Sequence, residues 1–185
     1  MKTFKSFSLI MTMLLAFSTL TFADSAKEIE ADSDEALKEF YMEVKGSEKF
    51  LANVKGYLVF PEVQEAGFFL GGKYGEGILR VAGKTKSFHS ITSASMGFQI
   101  GLQKYALVIA FTSEEALQRF MRENEDDNEW DGKMDLGMAM AEWNLEEELD
   151  VIDFGSNMLG FVFDSTGLMG NFSMEGTKFE RIIPD

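Results

Sequence analysis

Cysteine is absent from the 185 residues, so no disulfide can staple the fold and stability must come from packing. Proline occurs twice and histidine once. The two prolines leave no proline-rich linker, and a lone histidine gives neither a catalytic triad nor a zinc site its partners. Basic residues are scarce, 17 against 31 acidic ones, for a net charge of −14. Such a surface repels nucleic acid, because phosphate binding depends on lysine and arginine displacing counterions. It also argues against simple electrostatic adsorption to anionic lipid.

The N-terminus has the three parts of a secretory signal. Lys2 and Lys5 form a basic start, Leu9 to Leu20 an apolar stretch dotted with hydroxyls, and Thr21-Phe22-Ala23 a small-residue cut site. The apolar run is short of the ~20 residues a membrane span needs. Cleavage is therefore expected after Ala23, with the product exported to the periplasm or secreted. Losing Lys2 and Lys5 leaves 15 basic against 31 acidic side chains, a net of −16 over residues 24–185. That length is one ordinary domain able to bury a sizeable core, and the eighteen phenylalanines can fill it.

Residues 24–31 read as polar and frayed. A helix is expected from Asp32, where Asp32-x-x-Glu35 resembles a capping box and Leu37, Phe40, Tyr41 and Val44 keep helical spacing. Gly46 interrupts it, and Ser47 is placed to cap a short turn carrying Phe50, Leu51 and Val54. Strands follow at Tyr57–Phe60 (ended by Pro61), Gly67–Gly72, Gly77–Val81, Thr85–Ile91, Ser95–Leu102 and Tyr105–Phe111. Thr112-x-x-Glu115 then opens an amphipathic helix with Ala116, Leu117, Phe120 and Met121 on its buried side. Strands return at Val151–Phe154, Met158–Phe163, Leu168–Met174 and Thr177–Ile183, while Met134 to Trp143 is ambiguous. The pattern is α+β: a curled or barrel-like antiparallel sheet of about seven or eight short strands, an N-terminal helix and one central amphipathic helix.

Motifs for chemistry fail on inspection. Gly67 to Lys73 has the spacing of a phosphate-binding loop, but Tyr74 stands where a hydroxyl should hold magnesium. Asp127 to Gly132 echoes a calcium loop, yet Met138 sits where a bidentate glutamate is required. His89 alternates with Phe88 and Ser90 in a strand, and no Gly-x-Ser-x-Gly elbow exists. No catalytic residue, metal ligand or cofactor is assigned, and a non-enzymatic protein is expected.

Two surfaces are candidates for binding. Lys38, Lys45 and Lys49 lie within about 20° of one helical direction, beside the apolar stripe. That is how an interfacial helix is built, which makes Leu37, Lys38, Phe40, Tyr41, Val44, Lys45 and Lys49 the candidate lipid contact. Glu35, Glu39 and Glu43 occupy the other flank, as they would on a helix packed against a core. The alternative surface is acidic: Glu123, Glu125, Asp126, Asp127, Glu129 and Asp131 would meet a basic protein partner.

From Val54 onward a series of motifs resembles the SYLF-domain family. They are Lys55-Gly56-Tyr57-Leu58-Val59-Phe60-Pro61-Glu62-Val63, Ala66-Gly67-Phe68 and Gly71-Gly72-Lys73-Tyr74-Gly75-Glu76-Gly77. Ser93 to Gly101, Phe111 to Leu117, Phe163 through Gly167-Leu168-Met169, and Met174 to Lys178 continue in the family's order. The resemblance implies lipid binding without catalysis. Eukaryotic relatives bind phosphoinositides and sometimes actin through a basic amphipathic N-terminal segment, and bacterial relatives are exported. Here residues 32–55 depart from that basic segment, since Asp34, Glu35, Glu39, Glu43 and Glu48 dilute the lysines.

Overall fold

A computed structural model describes residues 24–67, 70–96, 101–125, 130–131, 138–140, 156–166 and 176–185. The expected leader (residues 1–23) and the strands expected at Val151–Phe154 and Leu168–Met174 lie outside the described residues.

The first helix, α1 (Ala26–Glu43), starts two turns earlier than the apolar spacing predicts. Ser25 and Glu28 form the true capping box, with the Ser25 hydroxyl accepting from the Glu28 N–H and the Glu28 carboxylate accepting from the Ser25 N–H at 2.9 Å. Ile29, Ser33, Ala36, Leu37 and Phe40 form its buried stripe. Gly46 takes the left-handed conformation (φ 84°), turning the chain into α2 (Ser47–Asn53). Ser47 does not cap α2; its hydroxyl donates to the Phe40 carbonyl and ties the turn to α1.

Four long strands stand where six short ones are expected: β1 (Gly56–Gly67), β2 (Leu70–Val81), β3 (Lys84–Met96) and β4 (Gly101–Phe111) run 11 to 13 residues each. The runs Gly67–Gly72 and Ser95–Leu102 are not strands of their own but straddle the β1–β2 and β3–β4 connections, of which residues 68–69 and 97–100 lie outside the described residues. Pro61 does not end β1. The ladders to β2 and β4 both shift register around it, so it occupies a bulge where its missing N–H costs nothing. Helix α3 (Glu114–Glu125) follows β4. Its cap is Ser113, whose hydroxyl accepts from the Ala116 N–H, while Thr112 donates to the Ser156 carbonyl. Two short strands, β5 (Trp130–Asp131) and β6 (Met138–Met140), precede β7 (Met158–Thr166) and β8 (Thr177–Ile182).

Spatially the order is β5-β8-β3-β2-β1-β4-β7-β6. The six long strands are mutually antiparallel, and β6 joins β7 in parallel. The sheet is open, not a barrel: among the described residues its first and last strands do not pair. Helices on both faces remove the need for closure. In Tyr105–Phe111 every side chain is buried, and they alternate between two cores. Leu107, Ile109 and Phe111 join Leu58, Phe60, Leu117 and Phe120 under α3. Ala106, Val108 and Ala110 join Leu37, Phe40, Leu51 and Phe161 under α1 and α2. A strand covered on both faces reads as one unbroken apolar run.

Candidate functional site

The stripe on α1 is turned inward. Leu37, Phe40 and Val44 are buried, and the Phe40 ring packs against Phe161 and Phe163 at centroid distances of 5.3 and 5.2 Å. Tyr41 is half-buried, with its hydroxyl pushed up to about 12 by burial and by neighbouring Tyr57. The core-packed arrangement is the one this helix adopts, and Leu37, Phe40 and Val44 do not face outward. Lys38, Lys45 and Lys49 are exposed, as is Met42, which lies one turn beyond Lys38 on α1. Of the acidic candidates, Glu123 and Glu125 fall in the last turns of α3 and Asp131 in β5. Asp126, Asp127 and Glu129 lie outside the described residues.

A second acidic surface escaped the linear reading. Between α1 and the middle of β1 and β2 lies a cleft of about 690 Å³. Asp32, Glu35 and Glu39 of α1 face Glu62 and Glu76 of the sheet across it, with Ile29, Ala36 and Pro61 as apolar lining. The pairing of Glu62 with Glu76 across the β1–β2 ladder, beside a glutamate-rich helix flank, is the signal that could have found it. Burial and then the like charges of Asp24, Glu35, Glu28 and Glu62 raise the Asp32 pKa. Burial and then Asp164, Glu35 and Glu43 raise that of Glu39. Glu62 moves the other way: burial alone would raise it, but hydrogen bonds from Lys104 (3.0 Å to each oxygen) and Gln64 outweigh that. Glu76 accepts from the Tyr74 hydroxyl and the Asp24 N–H. Among the described residues, no group of three or more His, Cys, Asp or Glu is placed to hold a metal.

His89 is buried in β3, its Nε2 2.8 Å from the Ser87 hydroxyl and its ring packed against Phe120 at a centroid distance of 5.0 Å and a tilt of 49°. A Ser–His contact is the first half of an acyl-transfer apparatus. This one is two residues apart on one strand, with its imidazole in the core beneath α3. The phosphate-loop spacing resolves differently as well: Lys73 lies inside β2 and pairs with Glu65 and Ser93, with no helix after the glycines. No described helix is long and apolar enough to cross a membrane.

These features describe an α+β fold with helices on both faces of its sheet and an acidic cleft beside α1. The family comparison agrees with the motifs. The Ysc84 family model, described as Las17-binding protein actin regulator, matches residues 92–181, from β3 to β8. That segment is a Ysc84, or SYLF, domain match and bears out the resemblance there. The motifs at Lys55–Gly77 precede it. No curated protein matches the chain.

Proposed function

We propose that this protein is a non-enzymatic binding module, exported from the cytoplasm, that associates reversibly with a lipid or envelope surface through the outer end of α1. The observation that supports this is Met42, 77 % exposed, with exposed Lys38 one turn before it and exposed Lys45 and Lys49 just after. Burying one methionine contributes about 2 kcal/mol, and each lysine near an anionic surface about 1 kcal/mol. Together they reach about 5 kcal/mol before the costs of association and the repulsion from a net charge of −14, so the contact is weak and salt-sensitive. The test is flotation of the full chain with phosphatidylglycerol vesicles at low salt. Binding that disappears in Met42→Asp supports the reading; no flotation on anionic or neutral vesicles discards it. Export is tested separately, by sequencing the N-terminus of the protein recovered from its own cells: a start at Asp24 is expected.

The acidic cleft favours a second reading, a protein-interaction module that takes a basic partner segment. The family description, which names a bound protein, is in keeping with this. A complex that dissociates at high salt and is lost in Glu35→Lys/Glu39→Lys supports it, whereas retention at high salt counts against it.

A further inference from the structure

The opposite face of the sheet, under α3, carries a row of polar residues that neither reading uses. Ladder registers align Gln103 with Glu65, Glu65 with Lys73, Lys73 with Ser93, and Ser93 with Thr177, one residue from each of five adjacent strands. The neighbouring row on that face is the core row Tyr105, Val63, Gly75, Ile91 and Phe179. On the row's other side the same registers set Gly101, Gly67 and Gly71 side by side.

Two members of the row are unusual for their position. Lys73 is only 5 % exposed, and burial, partly offset by Glu65, pulls its pKa down. Thr177 is fully buried, and its hydroxyl makes no hydrogen bond to any described residue. A buried hydroxyl without a partner is costly in a native fold and marks a place where a polar group belongs. Glu65, Ser93 and Gln103 stay partly exposed, so solvent reaches the row at β1, β3 and β4, with Lys73 and Thr177 beneath the surface. Lys73 has three donors, which lets it accept a ligand while keeping contacts within the fold.

The geometry points to a binding site for a small zwitterionic head, an oxyanion and an ammonium about 5 Å apart, lying across β1, β2, β3 and β8. The oxyanion would sit over Lys73 and Ser93, on the side towards the Thr177 hydroxyl, and the ammonium over Glu65. The separation follows from the ~4.8 Å between neighbouring strands, which fixes how far apart Lys73 and Glu65 stand. Aminoalkyl phosphates have this chemistry, whether free in solution or as the head of a phospholipid. The site does not depend on the α1 surface contact proposed above.

The test is titration of the full chain with phosphoethanolamine, inorganic phosphate, and vesicles of phosphatidylethanolamine or phosphatidylglycerol. Phosphoethanolamine should bind at least tenfold more tightly than phosphate. Lys73→Met should abolish both, and Glu65→Gln should erase the preference while sparing phosphate. Thr177→Val and Ser93→Ala, which remove single hydroxyls, should each weaken binding several-fold, so the proposal does not hang on Lys73→Met folding. Binding of the free head identifies a soluble ligand. Binding only to phosphatidylethanolamine vesicles, lost in Thr177→Val but not in Met42→Asp, identifies a lipid. No binding of either form, or binding unaffected by all four variants, overturns the site.

Discussion

Single residues divide into those whose loss breaks the fold and those whose loss improves it. Gly77 lies opposite the β1 bulge, where a Cβ would come within 2.1 Å of the Val59 carbonyl oxygen and 2.7 Å of the Phe60 ring. Neither can retreat, because one is ladder backbone and the other is fully buried. Gly77→Ala should cost more than about 3 kcal/mol in chemical denaturation, at the severe end for one substitution. Gly83 has open space around it and suffers only from its φ of +73°. Gly83→Ala should cost about 1 kcal/mol, and equal losses at both sites would contradict the steric account. Ser33 is the opposite case. It is fully buried under α1 with no hydrogen bond to its hydroxyl. Ser33→Ala removes an unsatisfied group and restores helix propensity, so it should stabilise by about 1 kcal/mol; a loss would reveal a partner for the hydroxyl.

Among the elements, α1 is the one whose packing and function pull against each other. Its inner stripe is anchored by Phe40 between Phe161 and Phe163, so Phe40→Ala should cost about 3–5 kcal/mol. Met42, two residues on, should tolerate alanine within about 0.5 kcal/mol, since it is mostly exposed. A comparable loss at both positions would mean the helix packs differently. How much was legible beforehand follows from the same contrast. The periodicity of Leu37, Phe40, Tyr41 and Val44 disclosed a helix and its apolar face. It could not say whether that face meets lipid or protein, because both bury the same side chains. The start of α1 was missed because residues 24–31 are polar and only Ile29 is drawn into the core. The strand runs at Tyr57–Phe60 and Tyr105–Phe111 were legible as strands, but continuous apolar runs do not reveal which layers cover them. Pro61 was read as a stop since a bulge shows only in the pairing of two ladders. The acidic cleft and the polar row are likewise products of register, which brings residues like Glu65 and Thr177 onto one line from opposite ends of the chain.

At the scale of the whole molecule, the dominant fact is a net charge of −14 with part of it gathered where α1 meets the sheet. Asp32 and Glu39 have folded-state pKa values above the ordinary 3.8 and 4.5, through burial and then neighbouring carboxylates. As pH falls through those raised values, the native state takes up protons before the unfolded chain does. Stability therefore rises on mild acidification, and the gain is complete once the pH is below the unfolded values. Glu28 and Glu62 have the opposite sign. Hydrogen bonds from Ser25 lower Glu28, and those from Lys104 and Gln64 overcome burial to lower Glu62, so both stabilise above about pH 4.5 and lose that as pH falls through their folded values. The two groups act in different windows: repulsion in the cleft is relieved first, and the hydrogen-bonded carboxylates are lost only in stronger acid. Thermal unfolding should accordingly show a higher Tm at pH 5 than at pH 7.5, with a fall below about pH 4. Asp32→Asn/Glu39→Gln should raise the Tm at pH 7.5 and flatten the rise towards pH 5. Added salt at pH 7.5 should act in the same direction as the double variant, because it screens the same partly exposed charges. A wild-type Tm that falls steadily from pH 7.5 to 5, or a variant that keeps the full acid gain, would place the repulsion elsewhere than under α1.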